Sequence, residues 1–339
     1  MGMPTAIEQA LTQLLGGQRL GRGAVEAAIG AVLDPDANEV DIAALLTAMS
    51  SRRPDAETLA GAATALRARA TRIEPQTSPL LDTCGTGGTG LSTVNISTAT
   101  AIVASACGIS VAKHGNRGAT SKSGSADVLE ALGVNLDRPP AQVAACIDAI
   151  GIGFLYARAL HPAMRAVAPV RRRLPFRTVF NLIGPLSNPA GASHQLIGTG
   201  RDSQADTLAQ AAALLGHERT VVVCGGDRLD EVTLHGPTTW RLVQNGTIEA
   251  GQWQPSDFGL DPVPLESLTI DSPQQSAQML RAIFAGDSLP AARVVLANTA
   301  AALWTMQRVD TVADGVELAR EALTTGAALA QLQSLIDFT

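Results

Sequence analysis

Leu80-Leu81-Asp82-Thr83-Cys84-Gly85-Thr86-Gly87-Gly88-Thr89-Gly90 is the stretch from which the rest of the chain reads outward. An apolar run breaks into four glycines within six residues, followed by the polar string Thr93-Val94-Asn95-Ile96-Ser97-Thr98 and the apolar segment Ala99 to Cys107. This pattern predicts a buried strand, a glycine-rich turn, and a helix whose start is marked by Asn95, Ser97 and Thr98. Glycines let backbone amides come close to a ligand, and a helix start offers unpaired N–H groups at a positive dipole end. Together they suit an anion, most simply a phosphate or diphosphate.

The pattern then repeats. Ser110-Val111-Ala112 runs into Lys113-His114-Gly115-Asn116-Arg117, then Gly118-Ala119-Thr120-Ser121-Lys122-Ser123-Gly124-Ser125. A second helix is expected from Ser125 as N-cap, with Asp127 in its first turn and Gly133 as its stop. Two strand–loop–helix units with hydroxyl-rich loops point to a ligand carrying more than one phosphate group. Gly85, Gly87 and Gly90 formally match a GxGxxG dinucleotide fingerprint, but no Asp or Glu follows until Asp127, so the ribose-binding acid is missing. Leu91 stands where a Walker A loop needs its lysine.

The 339 residues, 46% of them hydrophobic, permit one large core or two domains. A net charge of −6 and 3% aromatic residues argue against a nucleic-acid-coating protein. Cys84, Cys107, Cys146 and Cys224 lack metal-ligand spacing and read as buried free thiols in a reducing cytoplasm. Neither a signal-type start nor an apolar run of membrane length is present, so a cytoplasmic protein with no membrane partner is expected.

Residues up to about 70 read as consecutive short helices. Ile7, Leu11, Leu14 and Leu15 share one face, Val25, Ile29 and Val32 another, and Ile42, Leu45, Leu46 and Met49 a third. Pro54 is expected at a first helical position. Such a module packs or dimerises; no catalytic side chain stands out in it. Thr71 to Pro79 reads as a linker. Beyond Leu132 strands and helices alternate as in an α/β domain. Pro139 to Ile150 is expected to be helical and Gly153 to Ala157 a strand. The basic run with Arg171, Arg172, Arg173 and Arg177 reads mostly as a solvated face, with one arginine free to fork onto a carboxylate. Asn181 to Asn188 reads as a turn-rich connector. His194 to Gly198 and Thr220 to Val223 are expected strands around a helix, Ser203 to Leu215. Asp230-Glu231, after Gly225-Gly226, suits Mg2+ held by few protein ligands and substrate oxygens. Thr239 to Val243 and Thr247 to Ala250 form an Asn-Gly hairpin. Helices Ser276 to Phe284 and Val312 to Ala330 flank the core segment Val294 to Leu303.

In these motifs the chain resembles the anthranilate phosphoribosyltransferase family over essentially its whole length. The resemblance rests on Asp82-Thr83-Cys84-Gly85-Thr86-Gly87-Gly88, Thr93 to Thr98, Lys113-His114-Gly115-Asn116-Arg117 and Gly124-Ser125-Ala126-Asp127. It continues in His161-Pro162-Ala163-Met164-Arg165, Arg177-Thr178-Val179-Phe180-Asn181, Gly184-Pro185-Leu186 and Leu229-Asp230-Glu231. It implies an all-α helical bundle domain (residues 1–72, joined by helices from about 162–190) and a larger α/β domain (residues 73–339) with a central, mostly parallel sheet. It also implies a homodimer formed through the helical part, and transfer of phosphoribosyl from 5-phosphoribosyl 1-diphosphate (PRPP) to the amine of anthranilate. By motif position, Gly85, Gly88, Thr89, Thr93, Asn95, Ile96, Ser97 and Thr98 should hold PRPP from the first unit. Lys113, His114, Gly115, Asn116, Arg117, Gly118, Ala119, Thr120, Ser121 and Ser125 should hold it from the second. Gly85, Asn116 and Arg171 should contact anthranilate, and Ser97, Asp230 and Glu231 should ligate Mg2+.

No acid–base residue is assigned, because the aromatic amine is already neutral at pH 7. His114 is the sole candidate, with pocket lining as the competing reading. The chain departs from the family pattern at Thr89, where Asp is common, and at Cys224 and Arg228, where His and Gly are often found. These departures predict altered Mg2+ affinity or turnover. The alternatives are transfer to a related aromatic amine, a pyrimidine nucleoside phosphorylase, and a non-catalytic nucleic-acid-binding paralogue.

Overall fold

The computed structural model describes residues 5–88, 90–118 and 121–338. Four helices come first: α1 (Ala6–Leu15), α2 (Arg22–Val32), α3 (Glu39–Ser50) and α4 (Ala56–Arg67). Thr5 and Glu8 cap α1 reciprocally. Asp55, rather than Pro54, sets the start of α4: its carboxylate accepts the Thr58 N–H at 2.9 Å, and Pro54 lies outside the helix. Val25, Ile29, Ile42, Leu45, Leu46 and Leu59 are fully buried between these helices. Leu15, expected on the inner face of α1, is instead 80% exposed. It is the last residue of the helix and faces an open groove beside α3.

The remainder forms one seven-stranded sheet. Its strands are β1 (Leu81–Gly85), β2 (Val111–Gly115), β3 (Ile152–Tyr156), β4 (His194–Gly198), β5 (Arg219–Gly225), β6 (Thr238–Gln244) and β7 (Thr247–Trp253). The spatial order is β3-β2-β1-β4-β5-β6-β7, parallel from β3 through β5, with the expected hairpin adding two antiparallel strands at one edge. The chain leaves β1 toward β2 and only later returns to lay β4 on the other side. Such a reversal opens a crevice at the carboxyl ends of the strands, where α/β sheets bind their ligands.

Helices cover both faces. On one lie α5 (Ile96–Ala106), α6 (Ser125–Leu132), α11 (Pro273–Phe284), α12 (Pro290–Thr305), α13 (Val312–Thr324) and α14 (Ala327–Asp337), sharing a core with Leu81, Val111 and Val221. On the other, α10 (Asp202–Leu214) packs with the N-terminal helices and with α9 (Met164–Arg173). The helices α7 (Pro140–Ile150) and α8 (Ala157–Leu160) flank β3. Val312 to Ala330 is not one helix, because Gly326 at φ 78° turns the chain between α13 and α14. Asn181 to Asn188 is turn-rich, with short 3-10 turns at Val179–Asn181 and Pro185–Ser187, but it is not a surface connector: Ile183, Leu186, Ser187 and Asn188 are buried. Arg67 of α4 ties the helical module to this segment, donating from Nε to the Leu186 carbonyl at 2.7 Å and lying 2.7 Å from His217 Nε2. Among the described residues, no helix is long and apolar enough to cross a membrane.

Candidate active site

A cleft of about 440 Å3 opens where β1, β2 and β5 end. Gly85, where the strand gives way to the turn, leaves no room for a side chain, since a Cβ there would run into the Asp230 carboxylate. Gly87 (φ 61°) and Gly88 (φ 71°) then hold left-handed conformations that favour glycine. Asp230 Oδ2 accepts the Gly87 N–H at 2.8 Å, and Arg177 donates to the Gly88 and Gly87 carbonyls at 3.2 and 3.4 Å. α5 starts at this turn with Asn95 as its N-cap, although the Asn95 side chain makes no capping bond. It fastens the loops instead: Oδ1 accepts from the Ser123 and Ser276 hydroxyls, each at 2.8 Å, and Nδ2 donates to the Ser123 carbonyl at 3.1 Å.

The second unit supplies the opposite wall. Lys113, only 3% exposed, donates from Nζ to the carbonyl of Thr83 and, at 3.3 Å, to that of His114. Beneath it the fully buried Asp82 accepts from the His114 N–H at 3.0 Å and Asn188 Nδ2 at 2.8 Å. This carboxylate splices β1, β2 and the buried 181–188 segment together. The helix α6 begins at Ser125 with Gly124, not Ser125, as N-cap, and Asp127 takes the N–H groups of Gly118 and Gly124 at 2.8 and 2.9 Å. Two helix N-termini therefore flank one cleft, the arrangement that favours phosphate.

The acidic pair comes from the loop after β5 and is rigidly held. Asp227 accepts from the Leu229 N–H at 3.0 Å and the Thr233 hydroxyl at 2.8 Å, and Asn298 of α12 brackets Val232 by bonding both its N–H and its carbonyl. Glu231 accepts the Ser97 N–H at 3.1 Å. Burial pushes the Glu231 carboxyl up to about 8, with the neighbouring Asp230 charge adding to the rise. Burial also raises the Asp230 carboxyl, against the opposing pull of the Gly87 N–H and Arg177. Neither forms a salt bridge among the described residues. Two crowded carboxylates beside a serine are hard oxygen donors short of a countercharge, which fits a divalent cation completed by substrate oxygens. The described residues contain no cluster of three or more His, Cys, Asp or Glu able to hold a metal unaided.

A second cleft, of about 710 Å3, adjoins the first through His114, Asn116, Arg171 and Phe180. Arg158, Arg165, Arg171 and Arg172 line it without an accompanying carboxylate among the described residues. The Arg171 guanidinium stacks 5.3 Å from the Phe180 ring centre, and burial lowers its pKa. At the junction, His114 and His161 face each other with Nε2 atoms 3.2 Å apart. Burial depresses them to about 3 and about 4, so both are neutral at pH 7.

Comparison with known proteins gives this geometry a context. Residues 8–70 match the model of the glycosyl transferase family helical bundle domain, and residues 77–329 that of the same family's a/b domain. An anthranilate phosphoribosyltransferase of Rhodopirellula baltica is 46% identical, covering 98% of this chain and 97% of the relative. The chain belongs to the anthranilate phosphoribosyltransferase family. The crystal structure of the Thermus thermophilus member superposes with a TM-score of 0.91 at 40% identity, covering 97% of this chain and 98% of that one. The Saccharomyces cerevisiae member in complex with PRPP and Mg superposes at 0.90 and 29% identity, covering 98% and 97%.

Of the family-pattern residues, Gly85, Gly88, Asn95, Ser97, Lys113, His114, Gly115 and Asn116 line the first cleft. So do Gly118, Ser121, Ser125, Arg171, Asp230 and Glu231. Arg117 lies at its wall, but its guanidinium is turned away onto Glu130 (2.8 Å), Asp127 (2.9 Å) and Tyr156 (3.2 Å), so a PRPP contact would fall to its backbone. Ile96 and Thr98 are each 1% exposed and face the core, and Thr93 sits outside the cleft, bridged to Thr269. A helix start sends only part of its first turn toward a ligand, so Ile96 and Thr98 have no side chain at the cleft wall, while Thr93 precedes the helix and is drawn to Thr269. Thr89, Ala119 and Thr120 lie outside the described residues. The motif reading gave no role to Arg177, Asn181 or Cys84, which also line the cleft. For Arg177 and Asn181 the sequence signal is the family motif Arg177 to Asn181 itself.

Proposed function

We propose that this chain transfers the phosphoribosyl group of PRPP to the amine of anthranilate, releasing diphosphate, a step of tryptophan biosynthesis. One observation carries the reading: a phosphate-type cleft whose acidic pair forms no salt bridge among the described residues opens directly onto Arg171, a half-buried arginine with no acidic partner among the described residues. The glycine-rich turn, Lys113 and the start of α6 hold the diphosphate. Asp230, Glu231 and Ser97 would hold Mg2+, which when bound neutralises charge on the diphosphate oxygens. Arg171 takes the anthranilate carboxylate by a bidentate fork, worth roughly 1.5–3 kcal/mol for a charge-assisted bond. Asn116 and Gly85 bound the space between the two substrates.

Breaking the C1–diphosphate bond builds positive charge on the ribose and negative charge on the leaving group. The neutral amine attacks C1 without prior deprotonation, and the C1–O bond breaks toward diphosphate, whose oxygens meet Lys113 and backbone N–H groups already in position. The nitrogen then gives up its surplus proton to the released diphosphate or to water. Holding the substrates in line can supply roughly 7–11 kcal/mol of the barrier reduction. His114 and His161, neutral and bonded to each other, form the wall between the clefts.

The test is a PRPP-dependent assay with anthranilate and a panel of related amines, with and without Mg2+. The expected result is Mg2+-dependent release of diphosphate with anthranilate preferred. Phosphorolysis of pyrimidine nucleosides without PRPP turnover would overturn the reading.

We assign the helical unit to residues 1–72 with 162–190, and the α/β unit to the remainder of 73–339. The shared core of α9 with α1–α4 supports this division. We also assign the chain to a cytoplasmic homodimer. Its four free thiols support the compartment. A groove between α1, α3 and α9 supports the dimer: Leu15 and Val40 are 80% and 73% exposed there, beside Leu11, Ala44 and Leu174. Leu15→Glu with Val40→Glu should give monomers in analytical ultracentrifugation, and an unchanged sedimentation coefficient would remove this face as the interface.

A further inference from the structure

Arg177 stands between the two halves of the molecule. Its backbone lies in the segment that follows α9, where the Ser50 hydroxyl at the end of α3 reaches its carbonyl at 3.5 Å. The turn after it is closed by Asn181, whose side-chain oxygen accepts the Thr178 N–H at 2.8 Å. Its side chain crosses to the other half and splits over consecutive carbonyls, Nη1 on Gly88 and Nη2 on Gly87. A Cβ on Gly88 would collide with this guanidinium, so the two groups are in close packing. From the opposite side, Asp230 takes the Gly87 N–H. A single residue of the turn is thus held at its N–H by an anion and at its carbonyl by a cation.

Carbonyl and N–H of one trans peptide point in opposite directions. A donor that captures the Gly87 carbonyl therefore fixes where the Gly88 N–H points. Gly87 and Gly88, both at positive φ, are residues that lose most freedom when ordered. Without the fork, a ligand binding to this turn would itself have to order them.

We propose that Arg177 is a positioning residue for the diphosphate cradle, acting on the ligand through the peptide groups of the glycine-rich turn. This rests on the reading of that turn as the diphosphate site. A fork that bridges two carbonyls is a property of guanidinium, with its planar set of donors, whereas an ammonium is a point charge. That difference separates positioning from direct charge contact with phosphate.

The experiment uses the full chain, as Arg177→Met and Arg177→Lys beside the parent, with steady-state kinetics and amide hydrogen exchange over residues 81–88. Both variants are expected to raise the PRPP KM roughly tenfold, since ordering one or two glycines falls to the ligand. The anthranilate KM should stay within about twofold, and exchange at the turn should quicken while β5 keeps its protection. Arg177→Lys with the parental PRPP KM would overturn the proposal in favour of a plain charge contact. Unchanged exchange at the turn in both variants would overturn it as well. Should Arg177→Met fail to fold, which loss of β5 protection would reveal, the Arg177→Lys result decides alone. A parent chain with no PRPP turnover would instead defeat the functional reading, and the exchange result would still say whether Arg177 orders the turn.

Discussion

Arg117, Arg171 and Arg177 show how far a residue's role depends on what surrounds it. All three line the phosphate-type cleft. Arg117 is neutralised by Asp127 and Glu130, Arg177 is occupied by carbonyls, and Arg171 lies against Phe180 with no acid to pair with. Arg171 is therefore the guanidinium with unspent donors for an incoming carboxylate. Arg171→Gln should raise the anthranilate KM by at least about tenfold, the loss of one charge-assisted fork, while the PRPP KM changes little. Equal loss on both substrates in steady-state kinetics would contradict this. Family resemblance points to Arg171, whereas the chemistry of the basic run leaves the choice among its arginines open. Ile96 marks the reverse situation: it falls in a phosphate-binding motif yet is buried in the core, because α5 is packed on nearly every side and only part of its first turn meets the cleft.

At the scale of elements, the strand–turn–helix units were legible because their signals are local. Gly133 stops α6 in the left-handed conformation, as read from the chain, and Asn245-Gly246 turns the β6–β7 hairpin. The break between α13 and α14 leaves no mark on the apolar pattern, which runs on through it with Leu323 and Ala328 both buried. Gly326 at φ 78° makes the turn there, and a Cβ would meet open space. Gly326→Ala should therefore cost only the conformational strain, about 1 kcal/mol, read as a lower Tm with the fold retained. A variant as stable as the parent would mean that the turn tolerates a side chain at positive φ. The loop after β5 teaches a related point. Its acidic pair was read from sequence, but the props that aim it, Asp227 and the fully buried Asn298, come from a turn and from a distant helix with no motif of their own.

At the scale of the whole molecule, buried histidines link stability to acid. His217, beneath Arg67 at the junction of the helical module and the α/β unit, is held at about 3 by burial and then by the Arg67 charge, against 6.5 for a free imidazole. His114 and His161 are depressed in the same direction. Above pH 6.5 neither folded nor unfolded chain binds these protons, and stability is at its full value. As pH falls from about 6.5 toward 3, the unfolded chain takes up protons that the folded one refuses, and stability drops by up to about 1.4 kcal/mol per pH unit for each such group. His217→Gln should flatten this acid limb in urea titrations between those limits. An acid limb of parental steepness would show that His217 is not among the groups responsible.

Taken by itself, the sequence determined most of the order of helices and strands, the two glycine- and hydroxyl-rich loops, the acidic pair and the family. These follow from turn chemistry, capping and apolar periodicity, which act over a few residues. Only the tertiary structure decided which groups meet: Asp230 on the Gly87 N–H across 143 positions of chain, Asp82 on Asn188, Arg177 on the glycine-rich turn, and Arg171 left open between two clefts. The reason is physical. Whether a charge is paired, desolvated or available to a ligand depends on neighbours brought in by the sheet's strand order, and no local pattern encodes that neighbourhood.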